Sequence, residues 1–179
     1  MTHRSAAAAL LIAALLAACA ITPPVSPADG TDVLSGRLSV RVDEPDMTQS
    51  RNVSAAFDLS GDAQRGELAL STPLGTLMAR ARWQPGAVAL STPQGDTRHA
   101  DLASLTREVL GEELPVAAMF DWLRGRPWPD AASAPLAAPA EGFSQLGWNV
   151  DLARFADALV VARRTQQPLV TVRVKLDRP

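Results

Sequence analysis

Val53-Ser54-Ala55-Ala56-Phe57-Asp58-Leu59 places Val, Ala, Phe and Leu at every second position, with Ser, Ala and Asp between them. A period of two puts successive side chains on opposite faces of a strand, so this stretch reads as a half-buried β-strand with one apolar face. The same period runs upstream, where Leu38, Val40 and Val42 alternate with Arg37, Ser39 and Arg41. Downstream, Leu68 and Leu70 oppose Glu67 and Ser71. Leu77, Ala79, Ala81 and Trp83 oppose Met78, Arg80 and Arg82, and Val88 and Leu90 continue the pattern. Gly61, Pro85-Gly86 and two Thr-Pro-x-Gly units supply turns between these runs. Near the C-terminus, Leu146, Trp148, Val150 and Leu152 read as one strand. An apolar run at 159–162 follows, and Val170, Val172, Val174 and Leu176 alternate with Thr171, Arg173 and Lys175.

The middle of the chain changes period. Asp101 suits the N-cap of a helix in which Leu102, Leu105, Val109 and Leu110 share a face and Gly111 ends it. Pro115 suits the first turn of a second helix with a Val116, Met119, Phe120, Leu123 stripe, bordered by Trp122 and stopped by Gly125. Residues 125–140, rich in Pro and Ala, read as a loop. Strands, two short helices and strands again predict an α+β fold, with a curved antiparallel sheet and helices packed on its concave side.

The N-terminus is of another kind. Residues 6–18 are all Ala, Leu or Ile, and Leu16-Ala17-Ala18-Cys19 closes the run with the chain's single cysteine. A membrane-spanning helix needs roughly 20 apolar residues, so 1–18 reads as an export signal. Leu16–Cys19 resembles the bacterial lipobox, which implies cleavage before Cys19 and lipid on its sulfur. Residues 19–32, with three prolines and a glycine, read as a lipidated flexible tether, leaving 33–179 as the folded domain. Ala20, not Asp, follows the cysteine, which is compatible with outer-membrane delivery.

The formal net charge of −2 gives no nucleic-acid footprint. A single cysteine forbids an internal disulfide, so a core must carry the stability. No cluster has metal-ligand spacing, no phosphate loop occurs, and Ser104 has no nucleophile context, so neither a metal, a cofactor nor an enzymatic activity is expected. His99 and Asp101 form a His-x-Asp pair, but Asp101 is better placed as a cap. Glu112-Glu113 reads as a solvated turn. Arg80, Arg82, Arg163, Arg164 and Arg173 read as solvated strand-face residues, with the fringe of a lipid- or carrier-facing mouth as the alternative.

Ala69-Leu70-Ser71-Thr72-Pro73-Leu74-Gly75 recurs as Ala89-Leu90-Ser91-Thr92-Pro93-Gln94-Gly95. Gln94 suits a solvated turn tip. Leu74 at the same position either folds back onto its own domain or presents an apolar side chain to lipid.

Lipobox, Leu70–Gly75, Pro93-Gln94-Gly95, Asp121-Trp122-Leu123-Arg124-Gly125-Arg126-Pro127 and Phe143-Ser144-Gln145-Leu146-Gly147-Trp148 together resemble the LolB family of lipoprotein-localisation factors. The resemblance implies an unclosed antiparallel β-barrel, with helices lidding a hydrophobic cavity for acyl chains. It implies acylated lipoprotein cargo, delivered by a LolA-like soluble periplasmic carrier and passed to outer-membrane phospholipid. Pro73, Leu74 and Gly75 match the family's protruding membrane-insertion loop. Residues expected to line the cavity are Phe57, Leu68, Leu70, Leu77, Trp148, Val150, Val172 and Val174 on the sheet. Leu105, Val109, Met119, Phe120 and Leu123 are expected on the lid. The chain is expected to act as a monomer at the periplasmic face of the outer membrane, anchored through Cys19. A general lipid or glycolipid carrier and an envelope scaffold are the alternatives. The family's cavity is often rich in aromatic residues, whereas this chain has 4 Trp, 4 Phe and no Tyr.

Overall fold

The computed structural model describes residues 33–43 and 51–177; Cys19, the export signal and the tether expected at 19–32 lie outside the described residues. Eleven strands form one antiparallel sheet: β1 (Leu34–Asp43), β2 (Arg51–Gly61), β3 (Gly66–Ser71), β4 (Leu77–Gln84), β5 (Ala87–Thr92), β6 (Gly95–His99), β7 (Ser133–Pro135), β8 (Gly142–Gln145), β9 (Trp148–Asp151), β10 (Leu159–Arg164) and β11 (Leu169–Leu176). Their spatial order is β6-β5-β4-β3-β2-β1-β11-β10-β9-β8-β7. The chain thus lays down two meanders that meet where β1 pairs with β11. β6 and β7, consecutive in sequence, end on opposite edges, and the sheet is not closed into a barrel.

The alternation anticipated along β1, β2 and β11 is realised. Val40, Val42, Phe57, Leu59, Val170, Val172, Val174 and Leu176 are buried, while Arg37, Arg41, Asp58, Arg173 and Lys175 on the opposite face are exposed. The segment from β6 to β7 carries α1 (Leu102–Leu110) and α2 (Val116–Trp122), whose apolar residues join the same core as the inward face of the sheet. α1 is capped at both ends as its sequence predicts. The Ser104 amide donates to Asp101 Oδ1 at 2.7 Å, and the Asp101 amide donates to Ser104 Oγ at 3.2 Å. Gly111 takes a left-handed φ of 81° and donates its amide to the Arg107 carbonyl, closing the helix. Pro115 stands at the N-cap of α2, one position before the first turn.

Two sequence expectations give way here. Leu146 and Leu152 do not lie within a strand, since β9 spans only Trp148–Asp151. Leu146 and Gly147, both at positive φ (53° and 76°), form the two-residue turn between β8 and β9, the geometry that matches strand twist in a tight hairpin. Residues 125–140 are not wholly loop, since Ser133–Pro135 pairs with β8 as an edge strand.

Candidate functional site

The inward face of β1–β5 is built from cross-strand rows. One row runs Leu59, Leu68, Ala81, Leu90, and the next runs Phe57, Leu70, Ala79. Alanine where neighbouring strands carry Leu or Phe leaves space, and α1 and α2 cover it without filling it. The result is a cavity of about 140 Å³. Its sheet wall includes Leu38, Val40, Phe57, Leu68, Leu70, Val172 and Val174, and its helical wall includes Leu105, Val109, Leu110, Met119 and Leu123. Among the described residues Thr106 is the one polar member of the lining, and its hydroxyl is already used: it donates to the Ala103 carbonyl at 3.1 Å and accepts the Leu114 amide at 3.0 Å. Nothing in the lining offers water the two to four polar partners it needs, so the cavity is a dry, oily one.

Nine of the residues expected on the cavity lie on it: Phe57, Leu68, Leu70, Leu105, Val109, Met119, Leu123, Val172 and Val174. The other four do not. Trp148, Val150 and Phe120 are buried away from it, among aromatic rings. There Trp122 packs on Trp148 (ring centroids 6.2 Å apart) and on Phe143 (6.4 Å), and Phe120 meets Trp83 edge-on at 5.8 Å. Aromatic rings cluster around these residues, whereas the described lining of the cavity is aliphatic apart from Phe57 and Thr106. Leu77 is turned outward and is 40 % exposed. The register between β3 and β4 slips, so that Leu70 opposes Ala79 but Ser71 opposes Leu77. This β-bulge moves Leu77 to the outer face. Among residues not anticipated, Leu59, Leu90, Leu110 and Leu114 also line the cavity. Their signal was the shared alternation for the first two and the helix and turn placement for the others.

A buried Gln145 ties the end of α2 to the segment that follows it. Its Oε1 accepts from Trp122 Nε1 at 2.7 Å and from the Trp128 amide at 2.9 Å, while its Nε2 donates to the carbonyls of Trp128 and Ala131 at 2.8 and 2.7 Å. At the other end of the cover, the turn after α1 is pinned to the sheet from two sides. Arg51 on β2 donates to the Leu110 carbonyl at 3.4 Å, and Arg164 on β10 donates to Glu112 Oε2 at 2.8 Å. Glu113 pairs with Arg107. Arg80 and Arg82 both reach Glu67, at 3.1 and 2.6 Å, and Arg163 reaches Asp151 at 3.3 Å.

The β3–β4 hairpin ends in Thr72-Pro73-Leu74-Gly75-Thr76. Gly75 donates its amide to the Thr72 carbonyl at 2.9 Å, Thr72 donates its amide to the Thr76 carbonyl at 2.9 Å, and the Thr76 amide donates to Thr72 Oγ1 at 3.1 Å. Gly75 sits at a left-handed φ of 84° with open space around it. This is a type I turn followed by a left-handed glycine. The tip is therefore internally fixed, and Leu74 at its apex is 94 % exposed. Leu74 does not fold back onto the domain.

The Asp101 carboxylate is occupied by the Ser104 amide, and His99 contacts Thr97 Oγ1 at 3.0 Å and Glu108 at 3.4 Å. Among the described residues no group of three or more His, Cys, Asp or Glu is placed to hold a metal ion.

The family model described as "Outer membrane lipoprotein LolB" matches residues 33–178. The outer-membrane lipoprotein LolB of Bordetella petrii is 35% identical over 179 aligned residues, covering 94% of this chain and 89% of the relative. That of Chromobacterium violaceum is 34% identical, covering 83% of this chain and 82% of the relative. That of Thiobacillus denitrificans is 35% identical, covering 78% and 76%.

Proposed function

The chain belongs to the LolB family of outer-membrane lipoproteins, lipoprotein-localisation factors, and on that premise we propose that it takes acylated lipoproteins from a LolA-like periplasmic carrier and inserts them into the outer membrane. Lipid on Cys19 holds it at that membrane, the oily cavity receives the cargo's acyl chains, and Leu74 enters the bilayer at release. The observation that carries this reading is the pairing of a dry apolar cavity with a rigid hairpin that holds a leucine 94 % exposed.

The physics of handover is consistent with these parts. Each CH₂ moved out of water is worth about 0.8 kcal/mol, so acyl chains cannot cross an aqueous space bare. Transfer runs without nucleotide energy if the receiver holds the chains more tightly than the donor, and the bilayer more tightly still. The cavity of about 140 Å³ is the resting, covered state. A dry cavity of roughly 150 Å³ accommodates a benzene ring, far less than a lipoprotein's acyl chains. Loading therefore requires α1 and α2 to move off the sheet. The contacts that resist this movement include the apolar packing of both helices on the sheet and the bonds of Arg51 and Arg164 to the C-terminal end of α1 and the turn after it.

The test is a transfer assay in which carrier loaded with lipoprotein is mixed with vesicles bearing the anchored protein. Wild type is expected to move cargo into the bilayer. Cargo remaining on the carrier with the wild-type protein present would overturn the reading.

A further inference from the structure

We infer that a cationic groove behind the Leu74 hairpin binds the headgroups of anionic phospholipids, so that the hairpin docks through both an apolar tip and a charged collar. The inference rests on the reading that Leu74 enters the bilayer. The groove lies on the outer face of the sheet, where Ser39, Ser54 and Ala56 form a floor of small side chains. Arg37, Arg173 and Lys175 form one wall, and Pro73, next to Leu74, forms the other. β3 ends beside this floor, since Ser71 pairs with Ala56, so the hairpin rises directly from its edge.

Two observations point to an anion. First, Arg37 and Lys175 are directly opposed across β1 and β11, with Arg173 one step along opposite Ser39. Like charges opposed on one sheet face destabilise the pairing. Second, the fold does not neutralise them. Among the described residues no carboxylate lies within ion-pair distance of Arg37, Arg173 or Lys175, and the lysine ammonium is bonded only to the backbone carbonyl of Asp157. The remaining arginines of the outer face that were singled out in the sequence, Arg80, Arg82 and Arg163, each have a carboxylate partner. Unpaired cations beside an exposed leucine match the layering of a leaflet, with acyl chains below and phosphates above. Basic side chains near an anionic surface each strengthen attachment roughly fivefold at low salt, so three act on the order of a hundredfold together.

The test uses the anchored full chain in two kinds of vesicle, phosphatidylethanolamine alone and phosphatidylethanolamine with phosphatidylglycerol, and follows cargo uptake and cargo insertion separately. Wild type should insert cargo faster as phosphatidylglycerol rises and lose that gain at high salt. The triple variant Arg37→Gln, Arg173→Gln, Lys175→Gln should insert at one low rate in both vesicles, with uptake unchanged and thermal unfolding at or above the wild-type temperature, since the opposed like charges are gone. Leu74→Glu should lose insertion in both vesicles. A triple variant that keeps the full response to phosphatidylglycerol overturns the groove alone. A triple variant that instead loses uptake from the carrier also overturns it, since the cations would then meet an acidic protein. Full insertion by Leu74→Glu overturns the underlying reading of the hairpin.

Discussion

Arg164 on β10 donates a 2.8 Å hydrogen bond to Glu112 in the turn between the two helices, and the two side chains are only 17% and 18% exposed. Part-buried ion pairs of this kind are harder to lose than surface ones, because the partner left behind stays away from water. Here Arg164 keeps a second acceptor, the Pro168 carbonyl at 2.9 Å from Nε, so loss of the carboxylate alone leaves it partly satisfied. Glu112→Gln should therefore cost about 1 kcal/mol and act chiefly on the cover. The expected outcome is roughly fivefold faster hydrogen exchange at the C-terminal end of α1, together with faster uptake of an apolar fluorescent probe. Unchanged exchange there would show that this bond does not hold the cover.

Leu74→Glu should leave thermal stability within about 0.5 kcal/mol of wild type, because the side chain contributes almost nothing to packing. Cargo uptake should persist and insertion into vesicles should fail. Separate measurements of cargo leaving the carrier and cargo entering the bilayer distinguish the two steps.

Ala79→Leu adds three carbons to the cavity wall. Filling a void normally stabilises, here by about 1 kcal/mol, since the space already exists. Cargo uptake should fall at the same time. Rising unfolding temperature with falling uptake is the signature of a hollow kept open for use; a variant gaining stability with undiminished uptake would show that cargo does not enter there.

Gln145→Leu should destabilise by about 2–3 kcal/mol. It leaves the buried Trp122 indole N–H without its partner, at about 1–3 kcal/mol, while the part-buried backbone groups of Trp128 and Ala131 lose theirs at less cost because water reaches them. Denaturant unfolding measures it, and Gln145→Glu at low pH, able to donate again, should recover part of the loss.

The amide and hydroxyl of Ser104 hold the Asp101 carboxyl below its ordinary value of 3.8. A depressed folded value stabilises at pH above the unfolded value, and that contribution fades as pH falls through the folded one. Asp101→Asn keeps a capping oxygen without the charge. The stability advantage of wild type over Asp101→Asn should hold at neutral pH and shrink below about pH 4. A difference constant down to pH 3 would show that the charge contributes nothing at this cap.

The strands around Val53–Leu59 were legible because one face is buried and the other solvated, which imposes an unmistakable period of two. The caps of α1 were legible because Asp101, Ser104 and Gly111 are local chemistry. Leu146 misled because it keeps the apolar spacing of Trp148 and Val150 although the chain reverses at that point. Leu77 misled because a bulge changes face without changing composition. The division of the interior was not written in either helix stripe or strand alternation. Phe120 and Leu123 look equivalent along the chain, and only the tertiary placement of Trp83, whose ring Phe120 meets edge-on, separates the one from the other, which lines the cavity.

The sheet's two free edges, β6 and β7, are joined only by the helical segment that crosses the interior. Spreading those edges ruptures no rung of the ladder, because none bridges them. Widening the interior would therefore break helix contacts and no strand pairing, as in a purse whose rim was never sewn shut.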